Sequence, residues 1–207
     1  MTERSPTVFI VDDDEAVRAS LRLLIKSVGL AAAAFGSARE FLGKYDPAQP
    51  GCLVLDVRMP EMSGIELQEH LNRQGAVLPV IFITGHGDVT MAVEAMQAGA
   101  FDFLQKPFRD QDFIDRIQRA LEKDRLNRTA LSERSLIRRR FDSLTPRERE
   151  VLELVCRGKA NKIVAADLGV SQRTVEIHRG RVMEKMGAAS VAQLVRMIID
   201  LEDAAPR

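Results

Sequence analysis

Cysteine is nearly absent from this chain: Cys52 and Cys156 are the only two among 207 residues. One thiol in each half gives neither a disulfide framework nor a metal-binding spacing. Each lies in an apolar stretch, so both read as buried, reduced thiols. Long hydrophobic runs are missing too. No segment approaches the roughly 18 apolar residues of a membrane-spanning helix. The opening Met1-Thr2-Glu3-Arg4-Ser5-Pro6 lacks the apolar stretch of a secretory signal. These absences set the expectation of a soluble, cytoplasmic protein with no membrane partner. Excess charge of one sign is also lacking, since 30 Lys and Arg balance 30 Asp and Glu. Proline and glycine are not unusually frequent, and there is no internal repeat.

What is present is a globular composition, 45% hydrophobic and 29% charged, with material for one or two domains. The charge is unevenly spread. Residues 1–121 hold 12 Lys and Arg against 17 Asp and Glu, net −5, whereas residues 122–207 hold 18 against 13, net +5. The second half is therefore the expected polyanion binder.

In the first half, four short apolar runs end in chemically capable residues. Val8-Phe9-Ile10-Val11 is followed by Asp12-Asp13-Asp14, and Cys52-Leu53-Val54-Leu55 by Asp56. Val80-Ile81-Phe82-Ile83 runs into Thr84, and Phe101-Asp102-Phe103-Leu104-Gln105 into Lys106-Pro107. Helical periodicities lie between them. Val17, Leu21, Leu24, Ile25 and Val28 predict a helix over about 15–28, stopped by Gly29. Ser37, Ser63 and Asp88 stand as N-caps of three more, and Phe113, Ile114, Ile117 and Leu121 mark a fifth. Strand–helix alternation of this kind predicts a parallel sheet covered on both faces. A flavodoxin-like five-stranded order, 2-1-3-4-5, puts strands one and three together where strand order reverses, and sites form there outside the carboxyl ends of the strands. Asp12, Asp13 and Asp56 would then lie side by side.

Clustered carboxylates repel one another unless a cation joins them. Hard oxygen ligands suit Mg²⁺, and a carboxylate can act as a nucleophile towards phosphorus. A transferring phosphoryl group needs its oxygens neutralised; Mg²⁺, Lys106 and the Thr84 hydroxyl could each take one. Asp14 and Glu15 read as ordinary helix N-terminal acids.

Val11-Asp12-Asp13, Leu55-Asp56-Val57-Arg58-Met59-Pro60, Thr84-Gly85-His86-Gly87-Asp88 and Lys106-Pro107-Phe108 make residues 7–121 resemble the receiver domain of two-component response regulators. The resemblance implies that Asp56 accepts a phosphoryl group from a sensor histidine kinase. It implies Mg²⁺ held by Asp13, Asp56 and the backbone carbonyl of Arg58, with Asp12 completing the acidic pocket, and a cis peptide before Pro107. Lys106 and Thr84 would contact the phosphoryl group. Thr84 and Phe103 would form the switch, and a face bearing Val89, Met91, Ala95, Ala98 and Phe103 would pair two copies. His86 and Arg58 flank the site and are candidates for tuning its hydrolysis rate.

Residues 122–143 are polar, with Arg138-Arg139-Arg140 and with Leu121, Leu126, Leu131 and Leu136 at a five-residue spacing that fits no helical face. They read as a mostly helical or frayed linker between a domain at 1–121 and one at 144–207. In the latter, Thr145-Pro146-Arg147-Glu148 is a strong helix start. Gly158, Gly169 and Gly187 end successive helices, Ser171 caps the third, and a fourth begins near Ser190. Two helices joined by Gly169-Val170-Ser171 predict a helix-turn-helix, against a generic four-helix protein-binding bundle. Leu144 to Leu152, Asn161-Lys162 and Thr174 to Arg179 resemble a LuxR-type DNA-binding domain, and the whole chain resembles FixJ-like regulators. That implies promoter DNA and RNA polymerase as partners, with a homodimer on phosphorylation. Lys162, Arg173, Thr174, Glu176, Ile177, His178, Arg179 and Arg181 are the candidate phosphate or base contacts, Arg179 being expected to contribute to the salt dependence of binding.

Competing readings are an aspartyl-phosphate phosphatase of the haloacid dehalogenase type, which would want a second Asp where Arg58 stands, and a Rossmann dehydrogenase, which would want glycines where Asp12-Asp13-Asp14 stands. A third is a regulator governed by protein partners without phosphorylation.

Overall fold

The structure, a computed structural model, describes residues 4–85 and 89–202. His86, Gly87 and Asp88, read from the sequence as a site neighbour and a helix cap, lie outside the described residues. The chain divides into two units, one ending at Arg128 and the other starting at Thr129.

In the first unit, strands β1 (Thr7–Val11), β2 (Ala31–Phe35), β3 (Gly51–Asp56), β4 (Val80–Thr84) and β5 (Asp102–Gln105) alternate with helices α1 (Glu15–Ser27), α2 (Ala38–Lys44), α3 (Gly64–Arg73), α4 (Val89–Gln97) and α5 (Asp110–Asp142). All strand pairs are parallel, in the order β2-β1-β3-β4-β5. Successive side chains along a strand point to opposite faces. Phe9, Val11, Leu53, Leu55 and Phe82 therefore pack with Phe41, Leu67 and Leu71 of α2 and α3, while Val8, Ile10, Val54 and Ile81 pack with Ile25 of α1 and with Phe113 and Ile117 of α5. Cys52 is fully buried in the second of these layers.

The helix starts follow the side chains. Asp14 caps α1 by accepting from the backbone N–H groups of Ala16 and Val17, Ser37 caps α2, and Ser63 with Glu66 closes a capping box on α3. The edge strand β2 carries four alanines and one phenylalanine, so its strand signal is weak even though it pairs with β1 along its length.

The fifth helix carries on through the stretch read as a mostly helical or frayed linker: it runs without interruption from Asp110 to Asp142. The stretch read as linker is claimed at both ends. Asp124, fully buried, accepts from the Gly51 N–H at 2.9 Å and from Arg128 Nε at 2.8 Å. Arg128 in turn donates to the carbonyls of Pro47 and Gln49 at 2.9 and 2.8 Å. Leu126, Leu131 and Leu136 are exposed, which accounts for their unhelpful spacing. Ile137 and Phe141 pack into the core of the second unit.

That unit consists of the end of α5 with α6 (Pro146–Cys156), α7 (Asn161–Leu168), α8 (Gln172–Met186) and α9 (Val191–Glu202). Thr145 and Glu148 form the expected capping box, and Pro146 occupies the first helical position. Gly169 and Gly187 adopt left-handed backbone at the ends of α7 and α8, with φ of 65° and 66°. Arg140, the last of the arginine triplet, donates to the Met186 carbonyl at 3.0 Å and so caps α8. Its guanidinium lies where a Cβ on Gly187 would stand, 2.7 Å away.

Candidate functional site

The β1–β3 register pairs Val11 with Leu55, so Asp12 and Asp56 leave the sheet side by side. Lys106, following β5, reaches both: its Nζ lies 2.8 Å from Asp12 Oδ2 and 3.2 Å from Asp56 Oδ1. Asp12 also accepts from the Asp14 N–H at 2.9 Å, and Asp56 from the Arg58 N–H at 2.8 Å. Asp12 and Asp56 are buried, at 1% and 8% exposure, and so is Thr84 at the end of β4. The Lys106 N–H donates to the Thr84 carbonyl at 2.7 Å, which ties the loop after β5 to the tip of β4. The Lys106–Pro107 peptide is cis, as the resemblance implied.

Electrostatics follow from this geometry. Burial pushes the Asp56 carboxyl above its usual range, opposed by the charge of Lys106 and reinforced by that of Asp12. Burial works against the Lys106 ammonium, but hydrogen bonding and charge from Asp12 and Asp56 outweigh it and raise its pKa. The Cys52 thiol is driven far upwards by burial, as expected of an inert core cysteine.

Not every candidate is gathered in. Asp13 is exposed, and among the described residues no three His, Cys, Asp or Glu side chains come close enough to hold a metal ion. The donor chemistry nevertheless suits a hard dication. Two buried carboxylates face one ammonium, and Asp13 follows Asp12 directly in the chain. Arg58 turns outwards, with Nη2 3.5 Å from Met91 Sδ on α4. Phe103 is half-buried against the α2–α4 layer.

The face proposed for pairing is corrected in its register. Ala95 belongs to the core, and Met91 is half-buried against it, whereas Val93 and Met96 are the exposed apolar side chains of α4. The side chain of Val89 lies outside what the structure describes.

Two residues not assigned to the site from the sequence also shape it. Gly64 starts α3 directly behind Asp56, and a Cβ there would stand 2.3 Å from the Asp56 carbonyl oxygen. Arg18 on α1 donates from Nη1 to the Asp12 carbonyl at 2.7 Å. Gly64 was legible only as punctuation after the strand, and an arginine within a helix gives no periodic signal, so neither pointed to the site from the sequence.

In the second unit, α7 and α8 are joined by the Gly169-Val170-Ser171 turn, with Val164, Val175 and Val182 buried between them and their neighbours. Lys162, Arg173, Glu176, Ile177 and Arg181 are exposed. Arg173, Ile177 and Arg181 follow one another at four-residue spacing, which places them along one face of α8. The remaining candidates are held back. Thr174 pairs its hydroxyl with Ser171 at 2.8 Å, His178 encloses its Nδ1 without a partner, and Arg179 donates to Asn161 Oδ1 at 2.9 Å.

Two buried aspartates joined by a half-buried lysine at the carboxyl end of a 2-1-3-4-5 parallel sheet, followed by a helix-turn-helix, define a receiver joined to a DNA-binding domain. Comparison with known families agrees. Residues 8–118 match the response regulator receiver domain, and residues 142–198 match the bacterial regulatory proteins of the luxR family. The chain is 51% identical to nodulation protein W of Bradyrhizobium diazoefficiens, over 92% of its own length and 84% of that protein. It is 49% identical to the transcriptional regulatory protein FixJ of Azorhizobium caulinodans, over 96% of its length and 94% of that protein. Among solved structures, response regulator StyR superposes with a TM-score of 0.85 at 46% identity, covering 94% of this chain and 98% of the other. The chain belongs to the two-component response regulators that carry a LuxR-type DNA-binding domain. It is a transcription regulator rather than an enzyme, and its two domains imply a sensor kinase and DNA as partners. Among the described residues no helix is long and apolar enough to cross a membrane.

Proposed function

We propose that Asp56 is the phosphoryl acceptor of a cytoplasmic switch driven by a sensor histidine kinase, and that phosphorylation pairs two receivers and promotes promoter binding. The observation that carries this reading is Lys106 set between the buried carboxylates of Asp12 and Asp56. In it, an Asp56 oxygen attacks the phosphorus of a phosphohistidine, and the phosphorus–nitrogen bond breaks as the imidazole leaves with the bonding pair. Lys106 and Thr84 neutralise the phosphoryl oxygens in place of lost solvent. Asp12, Asp13, Asp56 and the Arg58 carbonyl would hold Mg²⁺, which would supply further charge neutralisation. Thr84 and Phe103 carry the change towards α4, whose exposed Val93 and Met96 offer apolar surface for a second copy. The exposed Arg173, Ile177 and Arg181 face of α8 then reads a promoter half-site in the major groove, with RNA polymerase as a further partner there.

The test is to incubate the protein with Mg²⁺ and phosphoramidate and record intact mass and solution molar mass, with Asp56→Asn alongside. One phosphoryl group on the wild type alone, with a shift to dimer, is the expected result. No adduct under several donors would favour the regulator that works without phosphorylation. An adduct on a monomer would remove dimerisation from the proposal.

A further inference from the structure

We infer that Arg18 is a positioning residue for the acidic pocket, acting through the main chain of Asp12. The inference rests on the Mg²⁺ and phosphoryl reading above and adds to it a residue outside the pocket's own side chains.

The last ladder bond of β1 is made by the Asp12 N–H to the Phe35 carbonyl, at 3.3 Å. Beyond it the chain must turn within Asp12-Asp13-Asp14 to enter α1, and four contacts fix that turn. The Asp12 side chain accepts from the Asp14 N–H and from Lys106. Asp14 is anchored by its cap on α1. The Asp12 carbonyl, past the end of the ladder, accepts from Arg18 Nη1 at 2.7 Å. Arg18 is itself half-buried and passes Gly36, where an added Cβ would stand 3.6 Å from Nη1. The guanidinium therefore ties α1 to the end of β1 and lies near the residue that follows β2. The peptide it holds is the one joining Asp12 to Asp13, so it sets the direction in which the exposed Asp13 carboxylate leaves the loop. Support of this kind, one step removed from the ligating oxygens, orients ligands for a metal ion.

Charge and position make opposite demands on Arg18. If it were only a nearby cation, its removal would relieve repulsion and tighten Mg²⁺ binding. If it positions the loop, its removal weakens binding.

The experiment titrates Mg²⁺ calorimetrically into the full-length wild type, Arg18→Gln, Arg18→Lys and Arg22→Gln, the last an exposed charge on the same helix. Thermal unfolding is measured on each without metal. Arg18→Gln is expected to weaken Mg²⁺ binding by about tenfold, the lower end of what loss of an outer partner costs a metal site. Arg18→Lys, which keeps the charge and loses the planar reach, should fall between it and the wild type, and Arg22→Gln should bind as the wild type does. Binding by Arg18→Gln that is unchanged or tighter overturns the inference, as does full rescue by lysine. Should Arg18→Gln fail to fold, Arg18→Lys decides alone by the same comparison. A wild type that binds no Mg²⁺ overturns the functional reading itself, and the inference with it.

Discussion

Glu61 holds a backbone conformation that suits glycine, with φ of +67° in the loop between Asp56 and α3. Left-handed backbone costs an L-residue about 1–2 kcal/mol, and the exposed pair that Glu61 makes with Arg39 at 3.4 Å returns little of it. Glu61→Gly should therefore raise stability by about 1 kcal/mol, seen as a higher urea midpoint at unchanged slope; an unmoved midpoint would show that the loop relaxes around the glutamate. Glu148 has the opposite character. Its carboxylate accepts from Lys185 Nζ at 2.7 Å and from the Thr145 N–H at 2.8 Å, and chiefly the lysine bond draws its pKa down to about 2. A carboxylate whose pKa is lower folded than unfolded stabilises fully above its ordinary value, and that stability is lost as pH falls through the folded one. The second unit should lose stability between the ordinary carboxylate range and about pH 2. Urea unfolding at stepped pH should show a shallower acid limb for Glu148→Gln, and an identical limb would assign the loss to other acids.

Elements that announced themselves did so by local chemistry. β1, β3 and β4 are runs of large apolar residues, and the capping residues Ser37, Ser63, Thr145 and Ser171 mark helix starts where the structure has them. The central acids were legible through their combination with Thr84 and Lys106 at successive strand ends, since a lone aspartate after a strand more often serves a turn or a cap. β2 was not, because alanine neither favours a strand nor marks a face. The polar linker was legible as mostly helical, but its exposed leucines hid its continuity with the fifth helix, and Asp124 and Arg128 were hidden by contacts with residues distant in sequence. Gln68 of α3 is a further case: it reads as a polar helix position, yet it is fully buried with neither end of its amide paired. Gln68→Leu should stabilise the first unit by about 1–3 kcal/mol, and a loss of stability instead would mean that the amide finds a partner in solution. On α8, exposure divides the candidates. Arg173→Ala and Arg181→Ala should each lower the salt slope of DNA binding by about 1, whereas Arg179→Ala, with one Nη already committed to Asn161, should weaken binding with a smaller change in slope. Equal slope changes for all three would place Arg179 on a phosphate.

Taken as a whole, the molecule has an acidic receiver half and a basic DNA-binding half, and α5 contributes residues to the core of each: Phe113 and Ile117 to one, Ile137 and Phe141 to the other. The match to the receiver family ends at residue 118, but the first unit continues to Arg128. Asp124 and Arg128 form a clasp over the start of β3, the strand that ends in Asp56. That clasp determines where the protein can be cut. A receiver fragment ending at 121 would leave the Gly51 N–H without its acceptor, at a cost of about 1–3 kcal/mol for an unpaired buried donor, and one ending at 130 would keep it. Urea unfolding of the two fragments checks this, and equal midpoints would show the clasp to be dispensable. If the difference appears, a receiver dissected at the edge of family similarity is already a weakened one, and phosphorylation measured on it would understate what the intact protein can do.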